Sequence, residues 1–373
     1  MKWVWKILFA VICLLMPLTV CAEENNDLMK EFEFSELNDI MDEIFPREKM
    51  SFSELLEDLI SGKKEWSLET IRKWFFEQLT YEWENSRTSV IYLLVLIIVA
   101  AIFANFSSVF KSTQVSEISF SMLYMFVITI CLNNFRILAE TASANIATLI
   151  EFMEVLGPVY FLAVAMATGS STSVTFYHLL LLFVFLAELV VLHFLVPLTQ
   201  LYLMMKLLGE FSTEIHLSKF ADFLETLISW TLKTMMAGVI GINLIQGMLN
   251  PAIDSVKRSI LTRGGESIPI IGNLVGGTAE VILGTAVLIK NGIGVAGMIV
   301  CIAVCARPVI QIAMTALLYQ FIAALAQPIS DKRMVNCIGS MADGSKLLLR
   351  IVSATGIIFL LTIAVVATIS GGT

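Results

Sequence analysis

SVTFYHLLLLFVFLAELVVLHFLVP, residues 173–197, runs for 25 residues with one carboxylate, Glu188, and two histidines, His178 and His193. A helix needs roughly 20 apolar residues to cross the hydrocarbon core of a bilayer, and a soluble core helix rarely exceeds about 14. This stretch therefore reads as a crossing, and residues 89–110 and 346–370 have the same length and character. The whole chain agrees. It is 57% hydrophobic and 15% charged, with a mean hydropathy of +0.83, a composition that belongs to integral membrane proteins. The expected fold is all-α: a polytopic helical membrane protein, preceded by a signal peptide and a small helical extracytoplasmic domain.

Apolar stretches fall near 89–110, 118–138, 146–168, 173–197, 231–250, 268–289, 291–306, 308–326 and 347–369. The count is seven to nine. Residues 146–168 contain Glu151, Glu154 and Gly157-Pro158, which suits a short or re-entrant segment, and 291–306 is short and glycine-rich. Between 200 and 230, Phe220, Phe223, Leu224, Leu227 and Ile228 alternate with Lys219, Asp222 and Glu225 at helical spacing, as in a helix lying in the interface.

The first 22 residues read as a signal: Lys2 and Lys6, the apolar run 7–15, then Val20-Cys21-Ala22 before Glu23. Retention as an anchor and acylation at Cys21 are competing readings. Residues 23–88 hold 18 acidic and 8 basic side chains, net −10, against −8 for the whole chain. The acidic excess thus sits on one segment, which disfavours nucleic acid and suits a solvated domain or a basic partner surface. Leu28, Phe32, Leu37, Ile40, Met41 and Phe45 recur at helical spacing there. Ser51 or Ser53 can cap a second helix ending at Gly62, and Ser67 a third. Trp66, Trp74, Tyr81, Trp83 and Tyr92 gather ahead of the first crossing as an interfacial belt. Residues 89–373 form the membrane domain. With residue 23 outside and nine crossings, Lys111, the Lys257-Arg258-Arg263 loop and Arg307 fall inside, but Lys332-Arg333 falls outside, against the positive-inside rule.

Chemical motifs are sparse. Gly292-Ile-Gly294-Val-Ala-Gly297 matches a dinucleotide fingerprint in letters but lacks the strand that motif requires. In residues 339–346 Ser345 separates Gly344 from Lys346, which spoils a phosphate loop. The six cysteines, at 13, 21, 131, 301, 305 and 337, form no disulfide framework. Cys301 and Cys305 share a helix face without His or carboxylate neighbours and read as packing. Neither enzymatic activity nor a cofactor is expected. Gly272, Gly276, Glu280 and Gly284, spaced by four, make one stripe on a helix, suited to close packing or to lining a passage. A carboxylate at bilayer depth costs roughly 2.5–3.5 kcal/mol on insertion scales, so Glu280 and Glu188 should face the bundle, a partner or water. A proton or ion relay and a polar lock between helices both fit.

The run Val287-Leu-Ile-Lys290-Asn291-Gly292-Ile-Gly294-Val-Ala-Gly297, followed by Arg307-Pro308 and Gln327-Pro328-Ile-Ser-Asp331-Lys332-Arg333, resembles the stage III sporulation protein AE family of endospore-forming bacteria. The leading signal, the polar segment after it and the closing apolar helix with Gly371-Gly372 fit the same layout. The resemblance implies a multi-pass protein of the mother-cell membrane around the engulfed forespore. It would belong to a secretion-like channel complex with a cytoplasmic ATPase, ring-forming proteins and, less directly, stage II sporulation protein Q, serving late forespore development and gene expression. The alternative is a stand-alone ion-coupled permease using Glu188 and Glu280, although the internal repeat common in such transporters is not evident. An intramembrane hydrolase would need a nucleophile–base pair that the sequence does not offer.

Overall fold

The computed structural model describes residues 34–44, 51–61, 113–168, 170–211, 218–265 and 272–368, with scattered positions between 80 and 99. Side chains at 243–283 and at a few helix ends lie outside the described ones, as do the expected signal, the aromatic belt apart from Tyr92 and most of 89–110. Every element among the described residues is helical. In chain order these are α1 (Ser35–Ile44), α2 (Phe52–Ser61), α3 (Thr113–Thr168), α4 (Ser170–Leu186), a π-helical segment (Ala187–Leu195), α5 (Val196–Phe211), α6 (Ser218–Gly265), α7 (Gly272–Ala326) and α8 (Lys332–Thr368).

α1 and α2 are short and amphipathic. Leu37 and Met41 of α1 and Phe52 and Leu56 of α2 have no exposed surface. Ser51 precedes α2 as the sequence suggests, and its carbonyl accepts the first helical bond from Leu55 (3.0 Å). The cap itself comes from α1: Asn38 Oδ1 accepts from the Phe52 N–H and from Ser51 Oγ, both at 2.9 Å. One amide thus satisfies an orphan donor of the helix start and clasps the two helices together. Their apolar faces join the same core as the long helices.

The long helices alternate in direction, and three levels of contact set their register. At one end Tyr160 of α3 lies edge-on to Phe176 of α4, at 5.1 Å between centroids, and meets α7 at Gly294 beside Ala367 of α8. Just below, Gly157 of α3 faces Leu180 of α4, and Leu156 of α3 and Ile363 of α8 close on Gly297 of α7. Toward the other end Phe135 of α3 and Leu203 of α5 both close on Gly344 of α8. There Asn134 Nδ2 also donates to Tyr319 Oη of α7 (2.8 Å) and Tyr124 Oη to the Leu207 carbonyl (3.3 Å). The body is an up-and-down bundle in which α4, the π segment and α5 act as one rod.

Four helices are long and apolar enough to cross a membrane, over Ser121–Ala167, Ser173–Glu210, Gly284–Ala326 and Lys332–Ala367. The seven to nine separate crossings read from hydropathy do not appear among the described residues. Residues 118–138 and 146–168 are halves of α3, and 268–289, 291–306 and 308–326 are stretches of α7. No turn forms between the halves of α3 because Ala139 and Ala142 stay buried and Arg136 pairs with Glu140 one turn on, at 2.7 Å. Pro158 and Pro308 each remove one N–H from a helix long enough to continue past the gap. The interfacial helix expected near 220 is the start of α6, which buries Ala221, Leu224 and Ile228 and exposes Phe220 and Phe223.

α2 packs at the Gly292 end, where α8 terminates, whereas α3 starts at the Tyr124 end. α1, α2 and Thr368 consequently lie at one end, and the 327–331 turn at the other. The tightest approaches are at glycines. A Cβ on Gly294 would stand 2.7 Å from Tyr160 Oη and 3.2 Å from Ala367 Cβ, while one on Gly284 would meet nothing within 4 Å. Gly294→Val should cost about 1–3 kcal/mol through overpacking, read as a lower unfolding temperature of the purified chain in detergent. Gly284→Ala should stay within about 0.5 kcal/mol of the parent.

Candidate functional site

Two polar junctions tie the helices together. The first sits around Lys290, which is wholly buried. Its Nζ donates to the Val366 and Ala367 carbonyls at 3.4 and 3.3 Å. The last carbonyls of a helix lack intrahelical partners and carry the negative end of its dipole, so a cation from α7 caps α8. One turn on, Gly294 lets Tyr160 and Ala367 close in, and Gly297 does the same for Leu156. On the next face Gly292 receives Leu56 and Ile60 of α2. The glycines that resemble a nucleotide fingerprint are thus helix-interior contacts at which α2, α3 and α8 meet α7. Tyr160 Oη and Asn291 Oδ1 are buried there without a hydrogen-bond partner.

The second junction lies toward the opposite end. Lys206 of α5 reaches Asp343 of α8 at 2.9 Å and donates to Tyr202 Oη at 2.8 Å. Asp343 also receives Lys346 at 3.4 Å. Tyr202 extends the chain to Glu225 of α6 at 3.5 Å, and Asn336 Nδ2 of α8 donates to Glu210 Oε2 of α5 at 2.9 Å. Three helices are therefore stitched by charge-assisted bonds, which are stronger than neutral ones. Residues 339–346, the near-miss phosphate loop, lie inside α8. Gly344 packs on Phe135, and Ser345 Oγ donates to the Met341 carbonyl (2.9 Å).

The residues singled out in the sequence fall elsewhere. Gly272, Gly276, Glu280 and Gly284 share α7, and Gly284 is exposed; the side chains of the other three lie outside the described ones. Glu188 is exposed on the π segment, where His193 Nδ1 lies 2.8 Å from the Glu188 carbonyl. His178 is exposed on α4. The register sets Glu188 and Glu280 apart: Glu280 lies almost four turns from Gly294 in the direction away from Gly297, and Glu188 lies two turns below Leu180 on the opposite side of that level. A relay joining those two carboxylates has no support in this register. Cys301 and Cys305 pack on Gly356 of α8. Among the described residues no group of three or more His, Cys, Asp or Glu is placed to hold a metal. Lys206, Asp343 and Lys290 escape a sequence reading because their partners lie more than 70 positions away. Their one signal is a charge within an apolar stretch. The side chains of Lys206 and Asp343 are 26% and 46% exposed, so a double-mutant cycle of Lys206→Met and Asp343→Asn, followed by thermal unfolding in detergent, should give a coupling of about 1 kcal/mol.

Known sequences place the chain. The family model for stage III sporulation protein AE matches residues 50–370. The chain is also similar to stage III sporulation protein AE of Bacillus subtilis (strain 168), at 24% identity over 333 residues, covering 89% of this chain and 83% of that protein. No solved structure matches. With the match running from α2 through the end of α8, the chain belongs to the stage III sporulation protein AE family.

Proposed function

We propose that this chain is a non-enzymatic membrane component of a secretion-like channel complex that links mother cell and forespore during endospore development and sustains late forespore gene expression. The observation that carries this reading is the family match over residues 50–370, on a body of apolar helices long enough to cross a membrane. The described polar side chains inside the bundle add support: Lys206, Asp343, Lys290 and Asn336 are spent on tying helices to one another. The energy source would then belong to a separate subunit, a cytoplasmic ATPase. Ring-forming proteins of the same operon would be further partners, with stage II sporulation protein Q reached indirectly from the forespore side.

In this reading the chain lies in the mother-cell membrane around the forespore, and the end bearing α1 and α2 faces the space between the two membranes. That orientation puts Lys206, Lys219, Lys332 and Arg333 near the cytosolic end, as the positive-inside rule favours, and it removes the conflict that nine crossings create at Lys332-Arg333. Lys257, Arg258 and Arg263, on the far part of α6, then fall toward the outer end. The stripe Gly272, Gly276, Glu280 and Gly284 would pack against partner helices or line the passage near that end.

Isolation of the tagged chain from sporulating cells should bring an ATPase and ring proteins with it, and a chain recovered alone would sink the assignment. Orientation has its own test. With the chain produced in vegetative cells, an impermeant thiol reagent added outside protoplasts should label Glu57→Cys on α2 and leave Gln327→Cys untouched until the membrane is opened. The reverse pattern would invert the topology.

A further inference from the structure

The bundle is not apolar all round at the depth of the bilayer. Gly157 faces Leu180, while Phe135 and Leu203 meet at Gly344, so α3 and the rod run antiparallel with matching residues level. Between these levels the rod exposes Leu181, Leu182, Phe185, Leu189 and Phe194, a surface fit for lipid with Glu188 and His193 as its polar exceptions. Across these levels α3 exposes Asn133, Arg136, Ile137, Glu140, Glu151 and Glu154, with small Ala144 and Ala147 between them. In this register the apolar run 173–197 of the rod is level with roughly residues 140–164 of α3, so Glu140, Ala144, Ala147, Glu151 and Glu154 lie at its depth and Asn133, Arg136 and Ile137 at its Lys206 edge.

We propose that this outward face of α3 meets water inside the bilayer and forms part of the wall of an aqueous passage, the rest of the wall coming from outside this bundle. Glu140, paired with Arg136 at that edge, has a side chain 58% exposed, which lipid would not solvate. Glu151 and Glu154 lie three apart on one face, where like charges repel. A tightly packed protein interface would have to bury both, whereas water solvates them. Pro158, also exposed, offers no N–H to the Glu154 carbonyl, and a backbone carbonyl left open at membrane depth is tolerated where it lines a water-filled cavity. α7, packed beside α3, adds exposed Arg307, level with Ala147 in the register fixed by Asn134–Tyr319 and Leu156–Gly297. Small side chains at Ala144 and Ala147 leave the middle of the wall open, and the carboxylates favour cations over anions along it.

The proposal rests on the channel reading for its purpose and on embedding in lipid for its physics. Ala144→Cys, Ala147→Cys, Leu182→Cys and Leu189→Cys are introduced singly into the full chain and exposed, in cell membranes, to a charged, water-soluble methanethiosulfonate. The unmodified chain, whose Cys131, Cys301 and Cys337 are buried and whose Cys305 is half-buried, is the blank whose rate is subtracted, and immunoblotting of membranes confirms that each variant inserts. The thiolate is the reactive form, and apolar surroundings suppress it, so the α3 positions should react roughly 10-fold or more faster than the rod positions. Equal rates would overturn the proposal. So would α3 positions that react only after detergent extraction, since another protein would then cover the face. A negative result leaves co-isolation with the ATPase untouched, and a chain that labels as expected yet purifies alone removes the complex and not the wet face.

Discussion

Helices in lipid gain little from hiding apolar surface from each other, since the hydrocarbon around them is equally apolar. What holds this bundle is close approach, and it is concentrated where α7 meets α3 and α8. Gly294 and Gly297 remove the side chains that would hold those helices apart. At the level of Gly294 the Lys290 ammonium closes the end of α8. The antiparallel register of the body follows from this zone, because Tyr160 and Leu156 on one side and Ala367 and Ile363 on the other are keyed to the same two glycines. α2 docks on the neighbouring face through Gly292, so α1 and α2 are anchored to the same turn of helix.

The second junction does a different job. Its lysines and carboxylates are partly open to solvent, and exposed ion pairs contribute little free energy. Their value lies in geometry, since Lys206 and Asn336 fix which faces of α5 and α8 oppose each other. Steric fit at one end and directional polar bonds at the other set the bundle's alignment from both sides.

Helical class, membrane character and family were legible in the chain, because a run such as residues 173–197 admits few other states and the motifs around Lys290 and Arg307 are specific. The number of crossings was not legible. Hydropathy registers each polar interruption as a boundary, yet Arg136–Glu140 and Arg307-Pro308 interrupt the apolar character without ending the helix. The glycine stripe drew attention to Gly284, which has open space around it, while the tight contacts fall at Gly294 and Gly297. Spacing reveals which glycines share a face, but which face meets a neighbour is decided by helices far away in sequence. The cap of α2 illustrates the same limit: a serine was expected to supply it, and an amide from α1 does.

The segment from Ala187 to Leu195 winds as a π-helix, with the Val196 N–H bonded to the Val191 carbonyl five residues back. Each of its turns takes up about one residue more than an α-turn. The faces of α4 and α5 are therefore out of phase, as two gears on one shaft with a key between them. Were the segment to rewind as ordinary α-helix, α5 would rotate about its own axis and carry Lys206 away from Asp343. The bond at that site thus records the rotational setting that the π segment gives α5.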